Sequence, residues 1–211
     1  QAKTLEQLDE FMAGLSGLKF TGVSLPYRNI DPHLTVLFLT RLNQLGIQYV
    51  HILGTTNFAY MAIAAYFARQ GRFKLISMDS RSWKMNAVKS RGFMSPHNLL
   101  TCKIDEQTKI PYSLKNDCNC KFCKYVTFKQ ITAKRSKHRS RFLSRHNAMV
   151  TEQVSKDLYQ NAKSLAQLEH FLNHKKNPRD PKVKQVIDAL SLADVLKDEN
   201  INVLKTFLDQ V

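Results

Sequence analysis

No apolar run in this sequence approaches the roughly 20 residues that a membrane-spanning helix needs, so no membrane partner is expected. Neither G-x-x-x-x-G-K-[S/T] nor G-x-G-x-x-G occurs, and nothing therefore points to a nucleotide cofactor. Cysteine is scarce, four in 211 residues, in a large, lysine-rich chain whose sequence carries no secretory signal, so a disulfide framework is not expected. Acids are missing between Lys129 and Arg145, a stretch that holds Lys129, Lys134, Arg135, Lys137, Arg139, Arg141 and Arg145. That gap sharpens a general bias, a net charge of +15 and a pI near 9.8. A basic surface of this size usually answers to nucleic acid and less often to an anionic membrane surface; the bland alternative is a merely solvated exterior. What the chain has in quantity is apolar side chain, 43%, enough for one substantial core or one core plus a small subdomain.

Three of the four cysteines fall within six residues, as Cys118-Asn119-Cys120-Lys121-Phe122-Cys123. Thiolates at C-x-C-x-x-C spacing can converge on one tetrahedral ion, for which Zn²⁺ is the common soft-ligand choice. The competing reading is three unconnected reduced cysteines. Three thiols leave one ligand to find, and Cys102, His138 and His146 are the candidates.

Along the chain, Thr4-Leu5-Glu6-Gln7 fits a capping box, followed by Leu5, Leu8, Phe11, Met12 and Leu15 at helical spacing. A strand is expected from Leu18 to Ser24, closed by Pro26, and then a helix that starts at Asp31-Pro32 and stops at Gly46. Ile47 to Leu53 reads as a second strand, the segment from Phe58 to Gly71 as a helix, and Phe73 to Met78 as a third strand. Strand starts near 18, 47 and 73 give a βα repeat of about thirty residues, the signature of a parallel sheet or a βα barrel. In such folds chemistry gathers beyond the C-terminal strand ends, which here means Gly22-Val23-Ser24, Leu53-Gly54-Thr55 and Asp79-Ser80. An aspartate in that position can equally well cap or turn the chain. From Arg81 to Lys115 periodicity is lost, and an irregular segment or small hairpin anchored by Trp83 and Phe93 is expected. Helical pattern resumes near Phe142, breaks at an exposed turn from Lys175 to Pro181, and ends in a helix near Ile201 to Leu208.

The order of these features resembles the C-terminal part of the tRNA-guanine transglycosylase superfamily: βα units, a strand ending in Met78-Asp79, a C-x-C-x-x-C cluster, then His146-Asn147 at a helix. The resemblance implies an α/β fold that is the C-terminal portion of a TIM-type (β/α) barrel, with an inserted structural zinc subdomain and C-terminal helices. It implies a partial barrel over residues 1–100, the zinc subdomain with its basic segment over 101–150 and a helical region over 151–211. It also makes His146 the fourth ligand beside Cys118, Cys120 and Cys123, all four holding a structural Zn²⁺. Asp79 becomes the nucleophile of a base exchange at a ribosyl carbon, through a covalent intermediate with retained configuration. Gly22, Val23, Leu53, Gly54 and Ser80 fall at substrate-binding positions, and Lys134, Arg135, Lys137, Arg139, Arg141 and Arg145 at nucleic-acid-binding ones. The partners implied are a nucleic acid and a 7-deazaguanine base, and the location is cytoplasmic, the host's cytoplasm for a phage protein.

Two departures qualify that picture. Tranfer-RNA-acting members follow the nucleophile with a pattern near Asp-Cys-Val-x-Pro-Thr-Arg, whereas this chain has Asp79-Ser80-Arg81-Ser82-Trp83-Lys84. The loop looks closer to the branch that places 7-deazaguanine derivatives in DNA, so DNA is expected over tRNA. Second, a TIM barrel typically needs about 250 residues, and three βα units are visible here. The strands that carry the family's acidic base-reading groups have no counterpart, so a partner chain or a preceding segment is expected to complete the site; the first residue is Gln1, not Met. Other readings are a tRNA-guanine transglycosylase subunit, a non-catalytic zinc-containing nucleic-acid-binding subunit, and an unrelated zinc-ribbon protein, which the βα repeats disfavour.

Overall fold

The computed structural model describes residues 2–26, 30–89, 92–96, 101–104, 118–125, 137–175 and 181–195. The elements in order are α1 (Leu5–Gly14), β1 (Gly22–Pro26), α2 (Pro32–Gln44), β2 (Tyr49–Leu53), α3 (Phe58–Arg69), β3 (Leu75–Met78), α4 (Ser82–Lys89), β4 (Gly92–Met94), β5 (Thr101–Lys103), α5 (Lys121–Tyr125), α6 (Lys137–Asn161), α7 (Leu165–Lys175) and α8 (Pro181–Val195). They form two compact units, residues 1–79 with 158–211, and residues 80–157.

Local chemistry sets the helix starts of the first unit. Thr4 caps α1 by accepting from the Gln7 N–H, while Gln7 Oε1 reaches back to the Lys3 N–H at 2.7 Å, one residue beyond the usual capping-box partner. Asp31 caps α2 through the Leu34 N–H at 2.8 Å, with Pro32 in the first turn, where its missing donor costs nothing. Asn57 caps α3. Gly46 and Gly71 follow α2 and α3 with φ of 75° and 68°, the left-handed stop that glycine adopts without strain.

β1, β2 and β3 pair in parallel and in sequential order, with Gly22 opposite Tyr49, Tyr49 opposite Leu75, and Ile52 opposite Met78. One face of this sheet is covered: Leu25, Val50 and Ile52 are buried. α2 and α3 pack together, α3 lies against β3, and α8 packs on both helices, which is why α3 is buried nearly all round. Phe38, Phe67 and Leu39 are fully enclosed, and truncating such a side chain to alanine typically costs about 2–5 kcal/mol. Asp194 ties α8 down by receiving the Arg72 guanidinium at 2.6 Å and the Tyr66 hydroxyl. Burial and the neighbouring Asp194 carboxylate push the Tyr66 pKa up, so the phenol stays protonated and donates. The other face of the sheet is open. Tyr49, Leu53 and Leu75 are 41%, 41% and 54% exposed there.

The fold is therefore mixed α/β with a small parallel sheet, and the described residues form no closed barrel. Two local expectations are corrected. The first strand begins at Gly22 and runs to Pro26, so Leu18–Thr21 lie before it and the strand ends later than the reading to Ser24. The segment after Asp79 carries α4, where no helix is expected, while β4 pairs antiparallel with β5 in keeping with the small hairpin that was the alternative there.

The second unit closes around α6. Phe93 and Met94 of β4 are buried, and Asn147 of α6 bonds to both Met94 and Gly92 as well as to the Trp83 carbonyl in α4. Those bonds place residues 80–89 and 92–94 with the unit of the cysteine cluster, where the sequence reading put them with the barrel, and residues 158–175 and 181–195 belong to the first unit. Of the turn expected from Lys175 to Pro181, residues 176–180 lie outside the described residues, as do the helix near Ile201–Leu208 and the basic run before Lys137.

Candidate functional site

The clearest site is in residues 80–157. Cys118 and Cys120 lie in the stretch leading to α5, Cys123 is on α5, and His146 sits two and a half turns into α6. Cys118, Cys123 and His146 are buried and Cys120 is half-buried. The Cys123 N–H donates to the Cys120 sulfur at 3.4 Å, which turns the short helix so that all three sulfurs point inward. His146 Nδ1 lies 3.7, 3.4 and 3.3 Å from Cys118, Cys120 and Cys123 Sγ, and all four ligand atoms lie within 4.8 Å of one another. A zinc tetrahedron with Zn–S ~2.3 Å and Zn–N ~2.05 Å has an S···N edge of about 3.6 Å, and these separations match it.

The surroundings fit a metal as well as the ligands do. His146 Nε2 donates to the Met94 carbonyl at 2.9 Å, which fixes the tautomer that leaves the Nδ1 lone pair free. Phe93 stacks on the imidazole at 3.9 Å between centroids. Asn147, fully buried, accepts from the Met94 N–H at 2.9 Å and donates to the Trp83 and Gly92 carbonyls at 3.0 Å, so it holds the carbonyl that orients His146. Burial favours the neutral imidazole, yet hydrogen bonds to Cys118 and Cys120 and to the Met94 carbonyl outweigh it and hold the His146 pKa up at about 9. Hydrogen bonds from the Cys118 and Cys123 thiols push the Cys120 pKa down, while the same cluster pushes Cys123 up. One sulfur thus carries charge for its neighbours. A metal ion bound there would displace those protons and take the thiolates and the Nδ1 lone pair as its ligands. The four residues can hold a metal such as zinc, with no position left for water, and Cys102 on β5 is not part of the group.

The basic residues divide. Arg141 and Arg145 are exposed one turn apart on α6, and Arg145 lies over the Phe122 ring at 5.9 Å. Arg139 is 8% exposed, so it is packed into its unit and not available to a phosphate as expected. Lys134 and Arg135 lie outside the described residues, as does the side chain of Lys137. Residues 80–157 carry 17 lysines and arginines against five acids, a net +12 out of the chain's +15.

In the first unit, Asp79 follows β3 directly, continuing the ladder through its N–H to the Ile52 carbonyl at 3.3 Å. Its carboxylate is 63% exposed. Oδ1 accepts from the Gly54 N–H at 2.8 Å and lies 3.7 Å from His51 Nε2. Gly54 has φ of 84°, a conformation that costs other residues about 1–2 kcal/mol and that aims its N–H at the carboxylate. Leu53 and Gly54 thus stand beside Asp79 at the C-terminal rim of the sheet. Gly22 and Val23 do not. They open β1, four and three residues before the level of Leu53, and Val23 pairs with Val50, which is buried on the helix side. Gly22 has a packing reason of its own: a Cβ there would come 3.2 Å from the Tyr49 Cβ. Ser80 uses its hydroxyl locally, accepting from the Ser82 N–H at 2.9 Å and donating to Ser82 Oγ at 2.8 Å at the start of α4.

The residue that the sequence reading missed is His51. A histidine at an alternate position of a strand whose neighbours Val50 and Ile52 are buried must face the open side, and that alternation was the available signal. No protein-family model, no curated protein and no solved structure matches the chain.

Proposed function

We propose that this chain carries the nucleophile of a base-exchange glycosyltransferase that replaces guanine by a 7-deazaguanine derivative in DNA. The observation that carries the reading is the setting of Asp79. Its carboxylate stands at the C-terminal rim of a parallel sheet, held through Oδ1 by the Gly54 N–H, and among the described residues Oδ2 has no hydrogen bond. In the reaction, Oδ2 attacks C1′ as the C1′–N9 bond breaks; the bond's electron pair leaves with guanine, which takes a proton at N9. The N9 of the deazaguanine, losing its proton, then attacks C1′ and expels the Asp79 carboxylate. Two inversions retain configuration, and a carboxylate suits both the attack and the stabilisation of the oxocarbenium-like transition state.

The remaining parts are assigned accordingly. Leu53 and Gly54 line the base pocket beside Asp79. The barrel is of TIM type and is completed by parallel strands from a partner chain or a preceding segment that pair at the edges of β1 and β3, which turns the open face bearing Tyr49, His51, Leu53 and Leu75 toward the barrel interior. Such strands also bring the acid groups that read guanine. Zinc at Cys118, Cys120, Cys123 and His146 is structural and keeps α5 and α6 together, so that Arg141 and Arg145 can meet phosphates.

The test is exchange of labelled guanine into DNA and into tRNA by the protein co-purified with its completing chain, wild type against Asp79→Asn. Exchange into DNA that Asp79→Asn abolishes is expected; exchange that Asp79→Asn leaves undiminished contradicts the assignment, and exchange into tRNA alone moves the substrate to tRNA. The net +12 of residues 80–157 favours a second reading, a nucleic-acid-binding subunit without chemistry. Salt-sensitive DNA binding with no exchange by any preparation would select it.

A further inference from the structure

The open face of the sheet carries a polar row in an otherwise apolar setting. The strand register places Ser24, His51 and Ser77 side by side on β1, β2 and β3, one step below the level of Leu53. His51 Nδ1 lies 2.8 Å from Ser77 Oγ, and Nε2 lies 3.7 Å from Asp79 Oδ1. Ser77 lies on β3 and Asp79 directly follows that strand, two residues on, so the imidazole on β2 stands between the two side chains.

We propose that His51 is the positioning residue of Asp79, a role that rests on the reading of Asp79 as nucleophile. Among the described residues, the two groups that approach the carboxylate, the Gly54 N–H and His51 Nε2, approach the same oxygen. With the Ser77 hydroxyl donating to Nδ1 in the proposed arrangement, the ring proton stands on Nε2, facing Oδ1. Two donors on Oδ1 fix the carboxylate rotamer and turn Oδ2 outward, toward where C1′ must come. When the incoming base displaces the sugar, the same two donors receive the carboxylate as the C1′–Oδ2 bond breaks. A carboxylate held by Gly54 alone keeps one donor and can rotate about its terminal torsion, which is soft. The approach of 3.7 Å closes to a hydrogen bond when the site is occupied, as is common for catalytic contacts that tighten in the complex. Of the other strand residues on this face, Tyr49 is the one further titratable group, and it lies two residues back along β2, while Gly22, Ser24, Leu53 and Leu75 carry no charge.

The geometry makes a prediction that does not depend on turnover. Ring ¹⁵N shifts of His51, assigned by comparison with His51→Gln, read the tautomer in the intact chain. The expected result is predominantly Nε2–H in wild type, with a shift toward Nδ1–H in Ser77→Ala and in Asp79→Asn. A ring with the same tautomer ratio in all three proteins overturns the pairing. In the exchange assay, His51→Ala is expected to lower kcat roughly 10- to 100-fold with the KM for DNA unchanged, the size of effect that misplacing a reacting group gives. A raised KM with kcat unchanged would make His51 a binding residue and overturn the positioning role. If wild type itself shows no exchange, the nucleophile reading falls, whereas the tautomer measurement still decides whether Ser77, His51 and Asp79 are linked.

Discussion

Asn147 offers the sharpest test of how the unit of the cysteine–histidine group is held. Its side chain has no exposed surface and satisfies three backbone groups at once: the Met94 N–H at 2.9 Å and the Trp83 and Gly92 carbonyls at 3.0 Å. Asn147→Leu keeps most of the volume and removes every partner. A buried N–H left unpaired costs about 1–3 kcal/mol, and carbonyls are more tolerant, so about 2 kcal/mol for Met94 and roughly 0.5–1 for each carbonyl gives a loss near 3–4 kcal/mol. With a factor of ten per 1.4 kcal/mol, protection of the Met94 amide against hydrogen exchange should fall by at least about 100-fold. Hydrogen exchange is the right assay because a chain of two compact units need not unfold in one step. The Met94 carbonyl is also the acceptor for His146 Nε2, so zinc affinity should fall together with protection, by roughly 10- to 100-fold. Protection reduced less than about fivefold, with zinc affinity unchanged, would refute the reasoning.

Three further outcomes are expected. Cys120→Ala and His146→Ala should each lose one equivalent of zinc by metal analysis while Cys102→Ala keeps it, and the native site should release zinc as pH falls, because protons compete for the sulfurs and the imidazole. The log–log slope of DNA affinity against salt should decrease by about one for Arg141→Ala and again for Arg145→Ala, whereas Arg139→Ala should act on stability, since that side chain is packed inside its unit. Arg72→Ala should loosen α8 by about 2–4 kcal/mol, read from exchange protection of α8 amides, because it leaves the Asp194 carboxylate partly buried with the Tyr66 hydroxyl as its remaining donor.

The sequence announced those features whose physics is local. Thr4, Asp31 and Asn57 cap the helices that follow them, Gly46 and Gly71 stop them, and the spacing of Cys118, Cys120 and Cys123 lets their sulfurs converge on one point. The choice of His146 over His138 or Cys102 needed a resemblance, since nothing local distinguishes ligands twenty residues away, and the distances from its Nδ1 to the three sulfurs now carry it independently. The errors share a different cause. The extent of β1 depends on pairing with Tyr49–Leu53, not on its own composition, so the apolar run from Leu18 misplaced the strand and drew Gly22 and Val23 toward a site they do not reach. Arg139 looked like its basic neighbours because burial of one face of α6 is decided by what packs there. α4 has weak apolar periodicity and was read as irregular; its start is marked by Ser80, whose hydroxyl accepts the Ser82 N–H. His51 becomes informative only once the register sets it between Ser77 and Asp79.

The central claim is that Asp79 becomes covalently joined to a sugar carbon. Trypsin should release it on the peptide Leu75–Arg81, bounded by Lys74 and Arg81. The protein with its completing chain is mixed with labelled guanine-containing DNA, quenched in acid, digested and analysed by mass spectrometry. The DNA-derived adduct is expected on Leu75–Arg81, placed at Asp79 by fragmentation and absent from Asp79→Asn. Base exchange that proceeds with no adduct on that peptide, or with the adduct on another carboxylate, would contradict it.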